Sequence, residues 1–501
     1  MKRRDWIKTA AGGVLSTLAQ AQEGLPEHPR DLVYPKLSYD PPDPSQYRRE
    51  LDSGAVAYLV EDHQLPLVSV GMTLQAGGYQ IPAKSAGLAG LTGGQMRSGG
   101  TASLSAQEFD EEAAFLATQI GAGIGTTSGG GSVDCLTQNL DRSLELFFDM
   151  LKRPGFEAER LEIARAQTLQ GLARRNDRLE QIQSREFRRL TFGGHFTTIQ
   201  STQASIESIT REAMQEFHAR NFDPRRMFFS VSGDFDTEDM VRRLNEALAD
   251  GWPSGTVEPA EIPAPAHEPQ PGVYMVDKTS RDVNQSHVTL GHLGIHRFDP
   301  DAFKVRIMNS ILGGGGFTSR IMLRVRSDEG LAYSAYSRFQ PGTYYRGTFS
   351  AGFQSRNATC AQAAAIVIEE IERMQNDKVT AQELDTAKNY QIEIFPRFFA
   401  TAGQVAGTFA NDEFTGQKKD YWKTYRERIG DVSAEDVMEA AQKHLHPDKL
   451  VVLAVGDREA MLRGNPDKPE FSFAKIAGEA GIRTIALPDP LTMQYPEGQA
   501  A

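Results

Sequence analysis

Few side chains in this sequence are spaced for chemistry, and the clusters that exist point away from the commoner kinds. His287, His292 and His296 crowd into SHVTLGHLGIHR. As a metal site their spacing is poor, because in a regular strand residue 287 faces opposite to 292 and 296; core or surface histidines are expected. Gly313, Gly314, Gly315 and Gly316 suggest a phosphate loop, but no Gly-Lys-Ser/Thr follows, so nucleotide binding is not expected. Cys135 and Cys360 are the only cysteines and form no CxxC. Neither a disulfide framework nor a zinc knuckle is implied, and whether the two pair stays open. No nucleophile–base spacing or carboxylate pair stands out. Arg326 and Tyr333 lie seven apart in VRSDEGLAYS, a permanently charged donor fork near a hydroxyl donor. The stretch 85–101, SAGLAGLTGGQMRSGGT, opens like a helix and then places Gly90, Gly93 and Gly94 where a reactive side chain could stand.

The elements that must position these residues come in two sets. The chain has 501 residues, 40% hydrophobic and 24% charged, a normal globular balance with room for several domains. Between Trp252 and Gly272 lie six prolines, which break helices and cannot donate to a sheet, so 252–272 is expected to be an extended linker. On either side the sequence repeats. ITREAMQEFHARNFDPRRMFFSVSGD (209–234) aligns without a gap to VSAEDVMEAAQKHLHPDKLVVLAVGD (432–457), an offset of 223, and the same offset pairs FEAERLEIAR (156–165) with VTAQELDTAK (379–388). One register held by two separated segments indicates duplicated domains, here 40–251 and 273–465. Strand patterns fall at 55–62, 67–78, 132–138, 227–233, 272–278, 286–294, 345–353 and 449–457. Helical patterns fall at 105–119, 142–152, 158–192, 210–221, 235–249, 360–375, 380–396 and 433–444. This grouping favours α+β with mostly antiparallel sheets.

The ends have other tasks. MKRRDWIK followed by a short apolar run and Ala19-Gln20-Ala21 has the form of a secretory signal, residues 1–21, with Arg3-Arg4 fitting the twin-arginine pattern. A periplasmic location is expected. No later stretch reaches the roughly 18 apolar residues of a membrane span, so no membrane contact is expected after signal cleavage. The net charge of −12 argues against nucleic acid as a partner. The extension 466–501 has no role in the repeat pattern, a dimer contact being one reading.

Read together, the order of strand, apolar strand ending in Gly-Gly, AGLA helix, long helix, FGGHF, then SHVTLGHLGIHRFDPDAF, ILGGGGFTSRIMLRVRSDEGLAYS and a closing VGD resembles the M16 metallopeptidases, the pitrilysin, insulinase and mitochondrial-processing-peptidase group. The resemblance runs from about Tyr47 to about Leu462. It implies two homologous domains forming half of a clam-shell chamber, and a histidine in FGGHF, here His195, of structural rather than catalytic use. Active members carry an inverted His-x-x-Glu-His motif after AGLA, with a glutamate ligand about 77 residues on. Carried over position by position, the ligands and general base fall on Gly90, Gly93, Gly94 and Gly171. The implied chain is inactive alone and holds no metal or cofactor. A second family feature is retained: an Arg and a Tyr seven apart, which bind substrate backbone and stabilise the oxyanion, match Arg326 and Tyr333, with Gly313 to Gly316 as substrate-lining backbone. The resemblance thus implies a non-catalytic subunit that pairs with a zinc-bearing M16 homologue in a heterodimer and binds peptide. The other reading is a peptide-binding or scaffold protein, a homodimer without peptidase activity.

Overall fold

Strand β3 (Leu67–Leu74) shows how the sequence writes its sheets. Val68, Val70, Met72 and Leu74 are buried and the residues between them are not, the period of two that puts one face on a core. A computed structural model describes residues 38–253, 258–278 and 283–497; the 1–21 signal lies outside them. β3 joins β1 (Arg48–Glu50), β2 (Val56–Glu61), β4 (Gln119–Ile124), β5 (Gly129–Leu136) and β6 (Phe228–Gly233) in a six-stranded sheet of order β1-β2-β6-β3-β5-β4. A second six-stranded sheet contains β7 (Gly272–Asp277), β8 (Gln285–Leu293), β9 (Ala332–Gln340), β10 (Thr348–Arg356), β11 (Val451–Gly456) and β12 (Ile482–Ile485), in the order β12-β7-β11-β8-β10-β9. Only β2–β6, β7–β11 and β7–β12 run parallel. The protein is therefore α+β with two mostly antiparallel sheets, as its sequence suggests.

The repeat offset is carried into three dimensions. The helix Arg211–Asn221, the turn Pro224–Arg226 and β6 recur 223 positions on as Ala434–His444, Pro447–Lys449 and β11. Thr210 and Ser433 cap the two helices by accepting from the third backbone amide inside, an interaction of about 1 kcal/mol.

The long helical pattern at 158–192 breaks in two, Ala158–Ala173 and Leu179–Phe192. The break lets the second piece leave its own domain. Helix 179–192 packs on β8 and β11 of the other half, with Ile182 and Leu190 in one cluster with Tyr274, Val276, Val451, Leu453 and Val455. Its repeat mate, Ala402–Phe414, again 223 positions on, packs on β2 and β6 of the first half. Each half thus lends the other a helix.

The C-terminal extension is built into this arrangement. β12 adds a sixth strand parallel to β7, in the edge position that β1 fills in the first sheet. Beyond it the chain returns to the first half. Asn176 Nδ2 donates to the Pro488 carbonyl at 2.8 Å, the Gln203 amide to Leu491 at 2.8 Å, and the Tyr495 hydroxyl to Glu186 at 2.9 Å. Glu186 is fully buried and also takes Arg185 and Arg189 at 2.8 and 2.9 Å. Cys135 and Cys360 are buried and unpaired. No described helix is long and apolar enough to cross a membrane.

Candidate functional site

The AGLA helix spans Leu88–Ser98 and lies beside β4 and the helix 158–173. Its glycines divide into two kinds. At Gly90 and Gly94, one turn apart on the exposed face, a Cβ would meet nothing within 4 Å, and the same holds at Gly171 on the neighbouring helix. Gly93 is buried instead, and a Cβ there would sit 2.3 Å from the Ile124 amide nitrogen and 2.7 Å from the Gly123 carbonyl carbon. The helix rests directly on the backbone of β4, and only glycine permits that approach. A side chain at 93 would force the two elements apart.

A zinc ion does not fit these residues. Glycine offers no side-chain donor, and the Gln95 Oε1 nearby, buried without a hydrogen-bond partner, is a single neutral oxygen and no ligand set. A cavity of about 210 Å³ next to Gly90 is lined by Thr126, Arg188, Phe196 and Ser201 among others, with no carboxylate, histidine or thiol to serve as ligand or base. Among the described residues, one group could gather around a metal: Asp299, Asp301 and His444 in the second half. There Asp301 already takes Lys443 Nζ at 2.6 Å and His444 Nε2 at 2.8 Å.

Arg326 and Tyr333 meet. The Arg326 guanidinium lies 4.6 Å from the Tyr333 ring centroid and 4.7 Å from that of Phe317, so two aromatic rings hold it. Tyr333 is 83% and Phe317 64% exposed. The Arg326 fork and the Tyr333 hydroxyl make no hydrogen bond or ion pair among the described residues, so their donors are free to take a ligand. Tyr333 also lines a cavity of about 480 Å³ that includes Gln183 from the first half, His287 and Arg356.

The local winding explains how this pair is presented. Ser310–Gly314 and Leu323–Asp328 are both wound as π-turns, with five-residue bonds from Gly315 to Ser310 and from Glu329 to Arg324. Such wide turns are rare and frequent at functional sites. Two ion pairs anchor them. Arg320 grips Glu383 through two bonds of 2.6 and 3.1 Å, and its charge with the Thr380 amide holds the Glu383 carboxyl down at about 2 despite opposing burial. Arg324 bonds the fully buried Glu370 at 2.8 Å. Phe317, Arg320 and Arg324 were not separable from their motif by sequence pattern alone.

The glycines of the run 313–316 differ in burial. Gly313 is buried, and a Cβ there would fall 2.3 Å from the Ser337 amide, so it seats the turn against β9. Gly314 and Gly316 reach the surface. The histidines are structural. Burial holds His292 down at about 4; its Nδ1 contacts the Leu293 carbonyl at 2.8 Å and its Nε2 the His446 amide at 3.1 Å. His287 has burial against it and Glu180 3.7 Å away. His296 lies beyond the strand. His195 ties its loop to the linker through Thr197 and the Pro263 carbonyl, both at 2.9 Å.

Known proteins are similar to this chain in sequence and fold. The family model described as peptidase M16 inactive domain matches residues 208–390. A protein named non-peptidase homolog YmxG from Helicobacter pylori is 24% identical over 82% of this chain and 94% of its own length. A protein named uncharacterized zinc protease from Mycobacterium bovis is 28% identical over 50% of this chain, a match that spans 57% of that relative. The crystal structure of a peptidase M16 inactive domain from Pseudomonas fluorescens superposes with a TM-score of 0.73 at 27% identity, covering 81% of this chain and 97% of that one.

Proposed function

Because this chain belongs to the M16 peptidase family, we propose that it is the non-catalytic, substrate-binding subunit of a periplasmic zinc M16 peptidase, completing the site of a zinc-bearing homologue with Arg326 and Tyr333. One contrast carries the reading. The positions that would hold zinc and the general base are glycines, that of the base closed by β4, while the half-buried guanidinium and exposed hydroxyl that would hold substrate make no hydrogen bond or ion pair among the described residues. A clamp kept without a metal site serves a metal held elsewhere. The partner's zinc would supply the hydrolytic chemistry. Arg326 would donate its fork to a substrate carbonyl and to the negative charge that grows on it, and Tyr333 would add a hydroxyl donor.

The test is reconstitution. The full chain, mixed with a zinc-bearing M16 homologue from the same cell, should co-elute with it, carry one zinc per pair by elemental analysis, and hydrolyse peptides that neither chain cleaves alone. A homologue fully active by itself, with no complex formed, sinks the proposal and leaves the peptide-binding scaffold. Export is tested separately: Arg3→Lys with Arg4→Lys should retain the protein in the cytoplasm if the twin-arginine route is used.

A further inference from the structure

One cavity of the second half shares no lining residue with the glycine face or with the Arg326–Tyr333 pair. It measures about 580 Å³, between the helices Ala302–Asn309 and Tyr421–Gly430 and the segment after β8. Three arginines line it: Arg297, Arg306 and Arg428, with Lys418 at the same wall. The chain carries 66 acidic and 54 basic side chains, and many of its arginines are ion-paired. Arg142, Arg242, Arg320 and Arg324 each grip one or two carboxylates. The three in the cavity have no carboxylate within ion-pair distance among the described residues.

They are nevertheless held in place. Arg428 stacks 4.2 Å from the Phe303 ring centroid, Arg306 5.6 Å from that of Tyr425, and Arg297 5.3 Å from that of Phe298. Stacking fixes the plane of a guanidinium; Arg306 donates one N–H to the Tyr425 hydroxyl at 3.4 Å, and the Arg297 and Arg428 forks make no hydrogen bond among the described residues. Asp412, whose carboxyl feels Arg297, is committed to Trp422 Nε1. Asp299 is the one acidic wall residue, and its Oδ1 accepts from the Asp301 amide.

We infer that this cavity is a binding site for a small polyvalent oxyanion, a phosphate or carboxylate compound, held by Arg297, Arg306 and Arg428. Planar forks that line one cavity without ion-paired carboxylates suit such groups. A monovalent ion would leave charge unbalanced, and the cavity has room for a larger one. Its wall also includes Ser310 and Gly314 of the π-turn that carries Phe317, so the bound anion would sit behind the loop that stacks on Arg326.

Calorimetric titration of the full chain tests this, with tripolyphosphate, inorganic phosphate and citrate as separate probes and an acidic peptide as a fourth. One site per chain is expected for tripolyphosphate or citrate, and whichever binds tighter tells phosphate from carboxylate. The affinity should fall with added salt, and by about ten-fold or more in R306Q/R428Q. K84Q/R463Q removes the same charge at exposed sites elsewhere and should bind like the parent. R306K/R428K keeps the charge without the fork and should bind at an intermediate level, which guards against misfolding of the glutamine variant. No heat with any small anion, equal losses in both double glutamine variants, or binding of the acidic peptide alone would each overturn the inference.

Discussion

The Arg326 guanidinium is stacked between Phe317 and Tyr333, with ring centroids at 4.7 and 4.6 Å, on a π-turn. This arrangement separates charge from hydroxyl. Arg326→Ala and Tyr333→Phe should each lower turnover by the reconstituted pair by roughly ten-fold or more, as for loss of an oxyanion donor. Complex formation should be unaffected. Phe317→Ala removes no donor and should raise KM more than it lowers kcat. Steady-state kinetics with one peptide separate these effects; an R326A pair with parental kcat would place the clamp elsewhere.

The four glycines of the emptied motif should respond differently to a single methyl group. Gly90, Gly94 and Gly171 are helical and open, so replacement by Ala should stabilise by about 0.5–1 kcal/mol each. Gly93→Ala pushes into β4 and should destabilise by about 1–3 kcal/mol. Urea midpoints on the four single variants decide. It follows that His, His and Glu at the open ligand positions 90, 94 and 171 should be tolerated, whereas adding the general-base glutamate at 93 should destabilise the fold, because it has no room beside β4.

Acid should weaken the fold through two buried histidines. His218, whose Nε2 donates to the Leu151 carbonyl at 2.7 Å, and His292 are both held near 4 by burial. Unfolded histidine titrates near 6.5. The folded value lies below the unfolded one, so this stability is whole above pH 6.5 and is lost as pH falls toward 4, by roughly 3 kcal/mol per histidine when complete. Denaturation at pH 7, 5.5 and 4 on the parent and on His218→Gln reads it out. An equal pH slope in both would remove His218 from the explanation.

The C-terminal return should be worth more than its length suggests. Tyr495→Phe takes one donor from buried Glu186, a loss of about 1.5–3 kcal/mol for a hydrogen bond to a charged group. Arg189 stacks on the same ring at 4.6 Å. Deleting residues 486–501 should cost more than the single substitution, since Asn176 and Gln203 lose their acceptors as well. Melting temperatures of the two variants order these effects, and a deletion as stable as the parent would deny the segment any structural part.

What could be read from sequence follows physical lines. The repeat register survived intact because it rests on caps, a proline turn and a six-residue apolar strand, all local. β4 was missed because QIGAGI carries glycines where strands prefer branched residues. β12 was missed because a short strand from outside the repeat has no internal counterpart. The break after Ala173 is invisible to helical periodicity, since the pattern resumes at once on a different sheet. At the site, spacing identified Arg326 and Tyr333, but the Phe317 stack and the Glu383 anchor come from residues 9 to 57 positions away from Arg326 and needed the fold. The burial of Gly313 could not have been inferred from a run of four identical residues.

The exchange of helices 179–192 and 402–414 has a historical reading. A protein made of one repeat alone would carry a sheet face without its cover and a helix without its seat. A second copy meets both needs at once. The present chain has the form of two repeats joined end to end, each covering the sheet of the other. Fusion freed the two copies to drift apart, and one of them now holds glycines where ligands would stand while the other keeps Arg326 and Tyr333.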